Sequence, residues 1–335
     1  MMRISRPLCV LGGLLLGVAI GYGASVWSVR LKADSLLNAL VPIQEQGGSY
    51  TFIHPLLAYR TPEATEFGAY VTAKSRVQQI ANAAIENGNA SRVSVYFRDL
   101  DRGEWFGINP EDPYYPASLL KVPIMIAYYK EAEEISAVFS NQIPYSPSVI
   151  PDSPFEATST LSEGQSYSVQ ELIRRMAVES DNGAAFTLLD RINPDFLRSV
   201  YVALGIPDPG DNSTEYQISA HTYALFFRIL YNATYLSQKH SEDALALLAQ
   251  STFTNGLVAG VPKDTAVAHK FGQHVIAKDY KAVGVELSDC GIVYFPKHPY
   301  ALCVMTKAPD TTMAEDTIMK ISRATYASVV QEYAN

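Results

Sequence analysis

Three short stretches hold the residues whose types and spacing could do chemistry. The first is Ser118-Leu119-Leu120-Lys121, at the head of an apolar run that continues through Val122, Ile124 and Ile126. Positions i and i+3 are neighbours on a helix face, so the Ser118 hydroxyl and the Lys121 amine come within reach of each other. At a helix N-terminus, free amide donors and the dipole favour a developing oxyanion. A lysine desolvated by Leu119, Leu120, Val122 and Ile124 gives up its proton more readily, and its neutral amine can take the serine proton. The same residues also fit a solvated lysine on an amphipathic helix, because a Ser and a Lys three apart arise by chance at this composition.

The second stretch is Ser180-Asp181-Asn182, between two helical patterns. A hydroxyl there can relay a proton between Lys121 and a leaving amine, and the Asn182 amide can bind a substrate carbonyl. Its plain alternative is a helix N-cap, for which Ser, Asp and Asn are all favoured. The third is His269-Lys270-Phe271-Gly272, at the end of an expected strand. Lys270 offers a cation to a substrate carboxylate, and Gly272 lets backbone approach closely. Any lysine ahead of a turn gives a similar pattern.

These stretches need a scaffold to bring them together. Val77, Ile80, Ala81, Ala84 and Ile85 recur at helical spacing, with Gly88 placed to end that helix. Residues 92–100, the turn 101–103 and residues 104–108 read as a hairpin. From about 119 to 250 the patterns are mainly helical. Ser168 with Glu171 forms a capping box for a helix to about Glu179, and the next begins near Gly183 and stops before Pro194. Residues 266–272, 290–296 and 300–307 then read as strands, and a last amphipathic helix runs from about Thr312 to Tyr333. Strands at both ends around a helical middle imply an α/β (α+β) fold, in which one sheet built from both ends carries an inserted helical lobe at about 125–255. A cleft belongs where sheet and lobe meet.

The first 70 residues stand apart. Arg3 and Arg6 precede residues 7–27, a run without a single charge. At about 1.5 Å per residue that run crosses a hydrocarbon core of about 30 Å. The positive-inside rule leaves residues 1–6 in the cytoplasm and the rest of the chain outside, as a single-pass membrane protein. The rival is secretion after signal cleavage, since Gly21 and Gly23 offer a small-x-small site. Residues 28–70 read as a stalk or a strap across the domain surface, and 71–335 as the globular domain.

Composition narrows the partners. The chain has 335 residues, 26 Lys+Arg against 34 Asp+Glu, and a net charge of -8. That balance opposes binding to phosphate backbones, so nucleic acid is not an expected partner. No cofactor is expected, because there is no phosphate loop or dinucleotide fingerprint. No metal is expected either, because the six histidines include no i,i+4 pair. Cys290 and Cys303 flank residues 296–299 on two expected strands. A cross-strand disulfide and a pair of buried free thiols are both open, the thiols being the default because register cannot be read from sequence.

In this order and context the three stretches resemble the serine penicillin-recognising enzymes, and within them the class A β-lactamase group, over roughly residues 70 to 335. Residues 93–118 resemble that family's strand-turn-strand lead-in, and Ser180 follows Ser118 by 62 residues, a suitable interval. The resemblance implies a two-lobed β-lactamase/transpeptidase-like fold. It makes Ser118 the nucleophile, Lys121 its proton partner, Ser180 the relay, Asn182 a substrate contact and Lys270 the attractor of the substrate carboxylate. It puts the oxyanion hole at the backbone N–H groups of Ser118 and Gln273.

Two departures matter. Phe271 stands where the family usually carries Ser or Thr, so carboxylate affinity should suffer. Between Asn182 and residue 266 no Glu-x-x-Leu-Asn pattern supplies a water-activating glutamate, and Glu179 and Glu215 lack that context. A site with nucleophile and base but no water activator should acylate and then release slowly. Two function classes follow. One is a membrane-tethered serine hydrolase acting on β-lactams or cell-wall D-alanyl peptides. The other is a non-catalytic module that binds cell-wall peptides or a protein partner on the same fold.

Overall fold

The computed structural model describes residues 41–44, 50–54, 56–60, 70–146, 161–210, 215–279 and 281–333. Residues 1–6 and the uncharged run 7–27 lie outside the described residues. Among the described residues no helix is long and apolar enough to cross a membrane.

The chain enters through an antiparallel pair, β1 (Val41–Gln44) and β2 (Leu56–Arg60). Between them, residues 51–54 strap across the domain. The amides of Thr51, Phe52 and Ile53 all donate to the Glu242 carboxylate, and His54 N–H donates to Tyr231 O.

Helix α1 (Val71–Glu86) follows, and Gly88, at φ +74°, lets the chain turn away from its end. Strands β3 (Arg92–Asp99) and β4 (Trp105–Ile108) form the expected hairpin. Helix α2 (Lys121–Glu134) and a short pair, β5 (Gln142–Pro144) with β6 (Ser166–Ser168), lead into α3 (Val169–Val178), α4 (Asn182–Leu189), α5 (Pro194–Leu204), α6 (Ala220–Tyr231) and α7 (Gln238–Leu248). Strands β7 (Val267–Lys278), β8 (Lys281–Val293) and β9 (Tyr300–Ala308) complete the sheet before α8 (Thr311–Tyr333). The sheet is antiparallel, in the order β4-β3-β9-β8-β7. Both ends of the chain build it, as the sequence implied.

Both faces of the sheet are covered, so its strands read as apolar runs rather than as alternation. Along β3, Val93, Val95 and Phe97 pack with Val77 of α1 and Ile318 and Ile321 of α8. Tyr96, with Cys303 and Met305 of β9, faces the helical lobe and Met125 and Phe227. Burying each such side chain stabilises by about 1.5–3 kcal/mol, which is what fixes the sheet between its two helical layers.

Several expectations change. Strands β7 and β8 form a hairpin far longer than residues 266–272 and 290–296 suggested, because Gln273, His274, Lys278, Lys281 and Glu286 interrupt the apolar pattern and Asp279 takes the left-handed turn at φ +51°. The helix begun after Ser180 ends at Leu189, and Pro194 starts another, capped by the Asn193 side chain. The capping box forms only halfway. Ser168 Oγ accepts the Glu171 amide at 3.2 Å, while the Glu171 carboxylate turns to Arg174 and Arg175. Cys290 and Cys303 stand directly opposite on β8 and β9 and are disulfide-bonded, which corrects the default of free thiols.

Candidate active site

The first stretch folds as a tight turn into a helix. A single 3₁₀ turn over Ala117–Leu120 runs straight into α2 at Lys121. Ala117, immediately before Ser118, sits at φ +47°, a left-handed conformation that costs a residue with a Cβ about 1–3 kcal/mol and persists only where the surroundings impose it. The surroundings are visible. Tyr223 of α6 donates from its hydroxyl to Leu119 O at 2.9 Å. Gly272 of β7 lies so close that a Cβ there would come within 2.4 Å of Pro116 O and 3.0 Å of Leu119 N. The glycine of the third stretch is thus required by the turn of the first. Ser118 itself is half-buried.

Lys121 is not a solvated lysine. It is 6% exposed, and its Nζ donates to Ser180 O, to Ser180 Oγ at 3.1 Å and to Asn182 Oδ1 at 2.6 Å. Burial pushes its pKa down to about 7, against a smaller upward pull from Asp181. Ser118 Oγ is not among its hydrogen-bond partners, and among the described residues that hydroxyl has none.

The second stretch divides its labour. Asp181 is the N-cap of α4, its Oδ1 accepting the Ala184 amide at 2.9 Å. The cap reading therefore explains the middle residue only, and Ser180 and Asn182 on either side are left to meet Lys121. Ser180 is buried, with φ +58°, a second strained residue at the same locus.

Lys270 reaches the same point from the sheet. Its Nζ donates to Ser180 Oγ at 2.9 Å and to Phe271 O at 3.1 Å, and its side chain is wholly buried. Burial, then the nearby charge of Lys121, hold it well below the ordinary lysine range, with Asp289 pulling the other way. The Lys270 amine thus faces Ser180. The Phe271 ring stacks on Phe253 at 4.1 Å and also carries the Lys270 amine, which lies 4.2 Å from its centroid. It places no hydroxyl beside Lys270. Gln273 follows on β7, the outermost strand of the sheet.

The structure therefore brings Lys121, Ser180, Asn182 and Lys270 into one hydrogen-bonded cluster, with Gly272 and the Ser118 turn packed against each other beside it. Neither glutamate weighed from sequence joins them. The Glu179 carboxylate is bound by Arg174 and Arg175 at 3.0 and 2.8 Å, and Glu215 is exposed. Among the described residues no group of three or more His, Cys, Asp or Glu side chains is placed to hold a metal. Sequence reasoning did not find the left-handed backbone at Ala117 and Ser180, nor the Tyr223 hydroxyl. The first two carry no glycine to mark them, and the third lies 104 residues from its partner. Chemically, the cluster is a buried lysine near neutrality joined through a hydroxyl to a second lysine, next to a serine at a helix start. That is apparatus for moving a proton to and from a serine.

Solved structures with this arrangement of elements share it at low identity. The chain is similar to PBP-A, at 22% identity over 77% of this chain and 96% of that one, with a TM-score of 0.64. It is similar to a β-lactamase from Chitinophaga pinensis, at 21% identity, 77% and 99% coverage and a TM-score of 0.64. It is also similar to the TLA-1 extended-spectrum β-lactamase, at 16% identity, 77% and 99% coverage and a TM-score of 0.66. No curated protein matches the chain. Residues 74–329, from the first helix to near the end of the last, match the beta-lactamase enzyme family. The folded domain, with its sheet, its helical lobe and the lysine–serine cluster between them, belongs to the beta-lactamase enzyme family.

Proposed function

We propose that the protein is a membrane-anchored serine hydrolase working outside the cytoplasm, which forms an acyl-enzyme at Ser118 with β-lactams or with D-alanyl peptides of the cell wall and releases it slowly. The observation that carries this reading is Lys121, a buried amine brought to about pH 7 and tied to Ser180 and Asn182 three residues after a half-buried serine.

In the reaction, Ser118 Oγ attacks the substrate carbonyl as its proton passes to neutral Lys121. The oxyanion is held by the backbone N–H groups of Ser118 and Gln273. The C–N bond then breaks, and the leaving nitrogen takes a proton through Ser180. Asn182 binds the substrate amide. Lys270, bonded to Ser180, fixes the relay, and an arriving carboxylate favours its charged form. A neighbour in structure supports the substrate class: a point mutant of PBP-A was solved as an acyl-enzyme with penicillin G, at 22% identity to this chain.

Slow release follows from Glu179 being tied to two arginines and from the lack of a Glu-x-x-Leu-Asn loop. Anchoring rests on the uncharged run 7–27, with secretion after cleavage as the alternative. Intact-mass measurement after exposure to penicillin, with Ser118→Ala as control, tests the reading. An adduct on the parent alone supports it, and no adduct on either points to the binding module. Rapid, sustained cephalosporin turnover would leave the hydrolase and remove slow release.

A further inference from the structure

We infer that Glu286, a carboxylate buried on β8, is a positioning residue that fastens the Ser118 turn to the sheet. The inference rests on the proposed acylation of Ser118. Glu286 is 4% exposed. Its Oε2 accepts the Tyr115 N–H at 2.9 Å, and its Oε1 lies 3.6 Å from Arg92 Nη2. Arg92, on β3, donates to Pro113 O at 2.5 Å, and its guanidinium covers the Tyr114 ring at 4.2 Å. The Tyr115 ring lies on His274 of β7 with centroids 4.5 Å apart. Pro116 O then abuts Gly272.

Three strands thus grip consecutive residues of the chain just before the strained Ala117 and the nucleophile. The register shows why these groups converge: Arg92 pairs with Lys307, Lys307 with Glu286, and Glu286 with His274, in one row across β3, β9, β8 and β7. A buried carboxylate is costly unless it is bonded, and a buried backbone amide likewise. Glu286 and Tyr115 solve both problems at the one place where displacement would carry Ser118 with it. A left-handed alanine is strained and persists only where its surroundings impose it, so the hold on Pro113–Tyr115 is what keeps Ser118 in place at the head of α2. Glu286 acts through the Tyr115 amide and not on the reacting atoms.

The test is labelling by a fluorescent penicillin across a range of concentrations, which separates reversible binding from the acylation rate constant, together with hydrogen exchange over residues 113–120. Glu286→Ala is expected to slow acylation by about tenfold or more, with reversible binding kept within about threefold, and to speed exchange in that segment. Glu286→Gln, whose side-chain oxygen still accepts from Tyr115, is expected to stay within about threefold of the parent in rate. Parental exchange over 113–120 in Glu286→Ala overturns the inference, and so does a Glu286→Gln as slow as Glu286→Ala. Should Glu286→Ala fail to fold, Arg92→Met, at a side chain 33% exposed, tests the same hold from the other side. Parental exchange there is equally fatal. If the parent takes no label at all, the proposed function fails, while exchange still decides whether Glu286 holds the turn.

Discussion

Lys121 and Lys270 direct their amines at one oxygen, Ser180 Oγ, from 3.1 and 2.9 Å. Two full ammonium charges facing a single buried hydroxyl repel, and each lysine is pushed toward its neutral form by burial. The pair therefore holds fewer than two protons at neutral pH, and the Ser180 hydrogen can pass toward whichever amine is unprotonated. Burial thus gives Lys121, a lysine that would stay charged in water, a neutral form near pH 7.

The rate of acylation should follow that proton. Below pH about 7, Lys121 is protonated and cannot accept from Ser118, and above it the amine is free. Labelling by fluorescent penicillin is expected to be slow at low pH, to rise through about 7 and to level off above it. Stability moves the same way. The folded state prefers neutral Lys121, so the unfolded chain binds more protons between about 7 and the ordinary 10.5, and stability rises with pH across that window. Lys121→Arg keeps its proton throughout and should lose about a hundredfold or more in rate with no such rise. A flat profile in the parent would remove Lys121 as the base.

Ser180→Ala removes the oxygen that both lysines share. Lys121 keeps Ser180 O and Asn182 Oδ1, so the fold should survive, while Lys270 keeps Phe271 O and its contact with the Phe271 ring. Acylation is expected to fall by about 10²–10⁴-fold with penicillin still bound reversibly. Stopped-flow labelling alongside a melting curve separates the two effects. A variant that acylates as fast as the parent shows that the leaving nitrogen is protonated by another route.

What was legible in the sequence follows the same physics. Lys121 could be read because apolar neighbours flank it, and flanking residues become burial once a helix forms. Ser180 and Asn182 could be read as a pair, but Asp181 between them could not be assigned its cap until α4 was seen to start at Asn182. Lys270 reaches Ser180 while the Phe271 ring meets both Phe253 and the Lys270 amine, and these placements depend on a register that opposes Phe271 to Asp289. The long hairpin was hidden because polar residues on β7 and β8 serve contacts beyond the sheet: Glu286 bonds the Tyr115 amide, and His274 meets the Tyr115 ring.

Gly272→Ala tests the fit between the third stretch and the first. The added methyl would meet Pro116 O at 2.4 Å and Leu119 N at 3.0 Å, both backbone atoms that cannot swing aside. Overpacking of this kind costs about 1–3 kcal/mol, and here the strain falls on the turn carrying Ser118. The melting temperature should drop by several degrees and penicillin labelling should fall further than the stability loss explains. Unchanged labelling in a destabilised variant would mean that the turn tolerates displacement and that β7 does not set the position of Ser118.

Glu242→Ala asks what the strap contributes. Thr51, Phe52 and Ile53 donate to its two oxygens at 2.7, 2.7 and 2.9 Å, so one side chain of α7 satisfies three successive amides. Hydrogen bonds to a charged acceptor are worth about 1.5–3 kcal/mol each in net terms, but a strap released into water regains hydration and chain entropy, so the loss should be about 2–4 kcal/mol in all. Other contacts remain: Ile53 is buried, His54 N–H still donates to Tyr231 O, and the Tyr294 hydroxyl donates to Phe52 O at 3.0 Å. The expected outcome is therefore local release rather than unfolding, read as chymotryptic cleavage near Phe52 at a protease concentration that spares the parent. Glu242→Gln should fall between the two, since its amide group can satisfy only the donors on its oxygen side. Equal resistance in all three proteins would show that packing of Ile53 and Phe52, and not the carboxylate, holds the strap down.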